Sequence, residues 1–187
     1  MLDTLRNLDW HTVQTLVQYG QSHLWFARTA TFCAEILILL FIPILYVIWH
    51  LSQPASKHMS NKKAVVLALL GLVFAVAIKT LIAMVWLRAR PFVSHPDLLI
   101  AASRLDPQSF PSGHTLVAAT LTFCLWMSGM RKLGWFLLVL TILIAFGRVA
   151  TGVHYPSDVL AGLAIGCITA WVLHHESSSI KRYLPNE

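Results

Sequence analysis

The sequence predicts an all-α fold: a polytopic membrane helix bundle of about five spans, with an N-terminal interfacial amphipathic helix ahead of it. Three observations predict this. Hydrophobic residues make up 57% of the 187-residue chain and charged ones 12%, with a mean hydropathy of +0.67, far from the average of a soluble domain. The apolar residues gather into five runs, long enough at about 1.5 Å per residue to approach roughly 30 Å of hydrocarbon. Clusters of Arg, His, Pro and Gly sit at the ends of those runs.

Residues 1–27 set Leu2, Leu5, Leu8, Trp10, Val13, Leu16 and Val17 at three- and four-residue steps, with Asp3, Arg6, Asp9, His11 and Gln14 between them. This is an amphipathic helix too polar to span, lying at the interface or packed on the bundle. It lacks the basic start and apolar core of a secretory signal. The first span runs from Thr31 to Trp49 and contains Glu35 and Pro43. A carboxylate at that depth costs about 2.5–3.5 kcal/mol, so Glu35 should face the bundle or sit near the interface.

Residues 50–63 form a polar link with Lys57, Lys62 and Lys63, and the second span covers Ala64 to Leu87 with Lys79 inside it. A loop over 88–113 holds Pro91, Pro96, Pro107 and Pro111. Spans three, four and five follow at about 114–130, 134–151 and 157–173, with Arg131 and Lys132 between the third and fourth. The domain organisation is thus an interfacial helix (1–27), a membrane domain (28–176) and a tail (177–187). Cys33, Cys124 and Cys167 lie singly in apolar runs and read as small buried hydrophobes.

The net charge of +6 does not point to nucleic acid, because the basic residues cluster between apolar runs rather than along one face. With five spans, the polar clusters at 88–91, 111–114 and 148–158 reach one membrane surface. The opposite surface holds Lys57, Lys62, Lys63, Arg131, Lys132, Lys181 and Arg182. Against those seven, the cluster surface keeps Arg6, Arg28 and Arg104 once Arg88, Arg90 and Arg148 are set aside for chemistry. The positive-inside rule then puts the clusters outside the cytoplasm.

Each cluster suits phosphate. Pro111-Ser112-Gly113-His114 opens a helix, whose N-terminal N–H groups and partial positive charge attract anions. Gly113 lets an anion approach the backbone, Ser112 adds a hydroxyl and His114 can exchange a proton near neutral pH. Arg88 and Arg90 carry planar charged forks matched to phosphate oxygens, and Arg148 adds a third. His154 and Asp158 lie four residues apart, on one face if helical. A carboxylate on one ring nitrogen would free the other as a nucleophile. Lys79, about three turns deeper, is expected to make a structural pairing, with Glu35 as a candidate partner.

On these residues the chain resembles the type 2 phosphatidic acid phosphatase family, the membrane lipid phosphatases related to vanadium haloperoxidases. The family's second motif is intact at 111–114, and its third is present as Arg148, His154 and Asp158, with Gly147 in place of the usual Ser. In the first, Arg90-Pro91 match but Ala83 occupies the Lys position, so Arg88 is the expected substitute. The resemblance implies that His154 attacks phosphorus to form a phosphohistidine, that Asp158 orients it, and that His114 protonates the leaving group. It implies that Arg90, Ser112, Gly113 and Arg148 hold phosphate oxygens, with no metal and no cofactor. The short chain and the Arg88-Ala89-Arg90-Pro91-Phe92-Val93 run look like bacterial undecaprenyl-diphosphate phosphatases of the plasma (inner) membrane, whose partners are a polyprenyl diphosphate and membrane lipids. Phosphatases for phosphatidylglycerophosphate, phosphatidic acid or lipid A share the motifs, and a non-catalytic lipid-binding protein is the reading from another class.

Overall fold

The computed structural model describes residues 2–51, 61–96 and 108–183, with side chains from Thr4 to Ser177 within those limits. Among the described residues eight α-helices follow in order: α1 (Leu2–Ser22), α2 (Leu24–Glu35), α3 (Phe41–His50), α4 (Asn61–Val85), α5 (Pro91–Ser94), α6 (Gly113–Met127), α7 (Arg131–Ala150) and α8 (Pro156–Tyr183). A 3-10 turn, Leu37–Leu40, joins α2 to α3. Among the described residues the only β-type pairing is one isolated antiparallel bridge, Ala89 to Gln108. Lys57, Arg104 and Pro107 lie outside the described residues, as do the side chains of Lys181 and Arg182.

Among the described residues three helices are long and apolar enough to cross a membrane, α4, α7 and the Pro156–Ser177 part of α8, and the bent pair Leu24–Glu35 with Leu37–His50 makes a fourth if it is one span. Their outer faces carry Val73, Phe74, Leu81, Val139 and Leu160, each more than half exposed. A continuous apolar surface of that extent requires lipid. The expected first span differs from a single rod, because α2 and α3 meet at a 41° bend. Pro43 supplies the reason: its ring crowds the carbonyl four residues back, at Leu39, and the backbone there tightens to 3-10 geometry. The expected third span is also shorter than the reading over 114–130, since α6 has 15 residues.

Helix α6 is the axle of the bundle. Leu116, Ala118, Ala119, Thr120, Leu121, Cys124 and Leu125 are buried against α4, α7 and α8. Close approach is made possible by Gly162 and Gly166 of α8, a Gly-x-x-x-Gly pair that the periodicity reading passed over. A Cβ on Gly166 would lie 2.7 Å from Ala119 Cβ and 2.8 Å from the Leu116 carbonyl oxygen. One on Gly162 would lie 2.7 Å from the Ser112 carbonyl oxygen. The start of α8 is therefore pressed directly against the start of α6.

Helix α1 ends five residues before the expected boundary at 27, and it packs on the bundle. Val13 and Val17 are fully buried in a cluster with Val149 and Val159, while Leu5 and Leu8 on the other side are more than half exposed.

Candidate active site

The six-residue step from Arg148 to His154 follows from how α7 stops. Gly152 takes φ 76°, a left-handed conformation that glycine adopts without steric cost. Its N–H donates to the Val149 carbonyl at 3.0 Å, and Val153 N–H donates to Arg148 at 3.3 Å, the pattern of a Schellman helix end. The next residue, His154, also donates its N–H to the Arg148 carbonyl, at 3.1 Å. The turn thus seats the imidazole beside the last turn of α7.

The four-residue step from His154 to Asp158 is set by the start of α8. Pro156 occupies the first helical position, where a missing N–H does no harm. Asp158 reaches back to accept the Tyr155 N–H at 2.8 Å, half of a capping box. The Asp158 side chain is fully buried and Oδ2 stands 3.7 Å from His154 Nδ1. That is longer than a hydrogen bond, as acid–base pairs often are before substrate arrives. Ser109, buried and 3.5 Å from Nδ1, donates its hydroxyl to the same carboxylate oxygen. Burial pushes the His154 ring down to about 4, with the Asp158 carboxylate opposing and Arg90 and Arg148 adding to the fall. The ring is therefore neutral at pH 7.

All three polar clusters reach this end of the bundle. Ser112 N–H donates to the Asp158 carbonyl at 3.0 Å, which joins the second motif to the third. The Ser112 hydroxyl is buried and shares a 3.1 Å hydrogen bond with Thr115. Arg90 is buried, and its Nε donates to the Gln108 carbonyl at 2.9 Å. His114 lies within electrostatic reach of Arg148 and Arg90, and so does His154. Arg148, 2% exposed, pairs through Nη1 with Glu35 Oε1 at 2.7 Å. Its Nε is buried and has no hydrogen-bond partner among the described residues. A buried donor of that kind calls for an acceptor such as a phosphate oxygen.

Two expectations change. Glu35 faces the bundle but takes Arg148, not Lys79, because α2, which carries it, packs against α7. Lys79 instead lies over Gly113: a Cβ there would meet Lys79 Cε at 3.2 Å and Nζ at 3.8 Å. Arg88, expected to contact phosphate, is engaged by carboxylates. Nη1 donates to Asp158 Oδ1 at 2.7 Å and to the Ser157 hydroxyl at 2.6 Å, and Nη2 donates to Asp9 Oδ2 at 2.7 Å. The guanidinium also sits 4.1 Å from the centre of the Tyr155 ring. Asp9 in turn accepts the Ser157 N–H at 2.9 Å, so a residue of α1 caps α8.

Asp9, Ser109 and Ser157 were not among the sequence-derived candidates. Ser109 adjoins the Pro-Ser-Gly-His motif and was within reach of inspection; Asp9 lay hidden on an amphipathic helix.

This geometry carries an expected result. Arg88→Met should lower kcat by about tenfold to a hundredfold, because it leaves a buried carboxylate without its partner. KM should stay within about twofold of wild type, and Asp9→Asn should show the same pattern more weakly. A rise in KM at unchanged kcat would return Arg88 to direct phosphate binding.

A model of the PAP2 superfamily matches residues 64–180. The chain belongs to that superfamily. Undecaprenyl-diphosphatase BcrC of Bacillus subtilis (strain 168) is 30% identical over 153 residues, which cover 82% of this chain and 76% of that protein. The putative undecaprenyl-diphosphatase YbjG of Escherichia coli (strain K12) is 30% identical over 174 residues, covering 90% and 84%. Among solved structures, the transmembrane PAP2-type phosphatidylglycerolphosphate phosphatase of Bacillus subtilis superposes with a TM-score of 0.67 at 19% identity, over 97% of this chain and 90% of that one. Aquifex aeolicus LpxE gives 0.62 at 23% identity, over 80% and 83%. These two likenesses establish the helical fold. Membership of the family and the relatives within it support a phosphatase, and the apolar helices make it a membrane protein.

Proposed function

We propose that this chain hydrolyses undecaprenyl diphosphate to undecaprenyl phosphate and inorganic phosphate, the step that recycles the lipid carrier of cell-wall synthesis. One observation carries the chemistry. A buried, neutral His154 backed by Asp158, a second histidine at a helix start, and the Arg90 and Arg148 guanidiniums converge at one end of the bundle. The diphosphate is favoured by undecaprenyl-diphosphatase BcrC and the putative undecaprenyl-diphosphatase YbjG, each 30% identical.

In this reading Nε2 of His154 attacks the terminal phosphorus. The bond from that phosphorus to the bridging oxygen breaks, and the departing lipid phosphate takes a proton from His114. Water then attacks the phosphohistidine, His114 accepts its proton, and inorganic phosphate leaves with the histidine restored. Arg90, Arg148 and the N–H groups around Gly113 stabilise charge as it builds on the transferred group, and general acid catalysis adds about 10²–10⁴. Asp158 fixes the imidazole tautomer. The proton and charge roles all fall to the chain's own side chains and backbone N–H groups, so this reading needs no metal. The surplus of Lys and Arg on the far surface supports an active site facing the periplasm or cell exterior, in a bacterial plasma membrane.

The test is phosphate release from detergent-solubilised protein in EDTA, across polyprenyl diphosphate, phosphatidylglycerophosphate, phosphatidic acid and lipid A. The polyprenyl diphosphate is expected to give the highest kcat/KM. A tenfold preference for any of the other three would overturn the substrate assignment, and loss of all activity in EDTA would overturn the metal-free one.

A further inference from the structure

A cavity of about 270 Å³ opens beside His114. Ile38, Val76, Leu116 and Val117 form its apolar walls, and Lys79 and His114 supply its side-chain polar groups. Gly113 completes the lining, with the Lys79 ammonium lying across it. No hydrogen bond or ion pair to Lys79 forms among the described residues. Glu35, the carboxylate on the adjoining broken helix, is taken by Arg148. A lysine inside a membrane helix is costly and normally finds a partner or marks a ligand path. Here it has apolar walls, the proposed proton donor and open space.

The place of this lysine relative to the reaction decides what it serves. The group under attack belongs with His154, Arg90 and Arg148. The group that departs belongs with His114, on the side where the cavity lies. When the substrate is a monophosphate ester, the departing group is an uncharged alcohol. When it is a diphosphate, the departing group is a lipid phosphate, which carries negative charge into the cavity next to Lys79.

We propose that Lys79 binds the phosphate nearer the lipid in a diphosphate substrate and so makes the enzyme selective for diphosphates over monophosphates. This rests on the phosphatase reading above. It gives Lys79 a different task from that of the lysine which the family places at the position of Ala83, one helical turn nearer Arg90. The apolar walls accept the first carbons of the lipid, and the ammonium meets the charge that His114 alone would have to neutralise by protonation.

The experiment compares farnesyl diphosphate with farnesyl monophosphate, which share one short lipid chain, in wild type, Lys79→Met and Lys79→Arg. In Lys79→Met, kcat/KM for the diphosphate should fall by about tenfold to a hundredfold, the range of one charge-assisted hydrogen bond. The value for the monophosphate should stay within about threefold, which also shows that the variant folds. Lys79→Arg should recover most of the diphosphate activity. Equal losses on both substrates, or an unchanged diphosphate value, would overturn the role of Lys79 and leave the phosphatase reading standing. If wild type hydrolyses neither substrate, the phosphatase reading falls and the proposal with it.

Discussion

His154→Ala is expected to reduce phosphate release by about 10⁴-fold or more, the scale on which loss of an attacking group is felt in enzymes that form covalent intermediates. The reason lies in the site: no other described side chain pairs a ring nitrogen with a buried carboxylate in this way. Asp158→Asn should fall by about the same order, because an amide cannot hold the tautomer that leaves Nε2 free. Rapid quenching of wild type should trap an acid-labile phosphoenzyme that His154→Ala lacks. If His154→Ala turned over at the wild-type rate, or still formed that adduct, the nucleophile would have to be sought elsewhere.

The same residue fixes a pH dependence. Burial is the main cause of its fall to about 4, with Arg90 and Arg148 pushing the same way. The neutral ring attacks, so activity is present above the folded-state value and is lost as pH falls through it. The acid limb that belongs to His154 in kcat/KM should therefore lie near pH 4, well below the ordinary histidine value of about 6.5. Asp158 opposes the fall, so the residual activity of Asp158→Asn should show a limb at still lower pH. A His154-dependent limb at 6 or above would mean an imidazole in contact with water.

Much of this was legible in the sequence, for physical reasons that are local. The spacing of Arg148, Gly152, His154 and Asp158 encodes a helix end, a left-handed turn and a helix start, all within eleven residues. The apolar runs encode the bundle because lipid admits few alternatives to helices with satisfied backbones. What stayed hidden was tertiary. Asp9 caps α8 across 148 residues of chain, and no periodicity in residues 1–27 distinguishes it from a solvated carboxylate. Ser109 sits on Asp158 because the segment at 108–109 pairs with 88–90, where Ser109 N–H donates to the Arg88 carbonyl at 2.8 Å. The partner of Glu35 depended on α2 packing against α7, which the order of apolar runs does not specify. Gly162 and Gly166 were readable as a packing motif, since their spacing is itself the signal.

The largest expected effect on stability comes from restoring a family residue. The third motif usually carries Ser where this chain has Gly147. A Cβ at 147 would lie 2.6 Å from Ala34 N, 2.8 Å from Ala30 O and 2.9 Å from Cys33 C. All three are backbone atoms of α2, so no rotamer change relieves them and the helix itself must move. Overpacking a core costs about 1–3 kcal/mol when side chains can adjust, and a rigid helix backbone places this case at about 3 or above. Gly147→Ser should therefore lower the Tm in detergent by about 6–12 °C for a chain of this size. The displacement also strikes the site. Moving α2 outward carries Glu35 away from Arg148, whose Nη1 now holds Glu35 at 2.7 Å and Ala34 O at 3.5 Å. Arg148 is 2% exposed, so the lost partner is not replaced by water. Activity should fall with stability, and Gly147→Ala should behave like Gly147→Ser because the Cβ, not the hydroxyl, is at fault. A Gly147→Ala variant with wild-type Tm beside an unstable Gly147→Ser would show that the polar group matters instead. Wild-type Tm in both would mean that α2 and α7 do not touch as closely as the 2.6 Å approach requires. The family's serine is thus disfavoured at 147 by the way the α2 backbone packs against α7, at Ala30, Cys33 and Ala34.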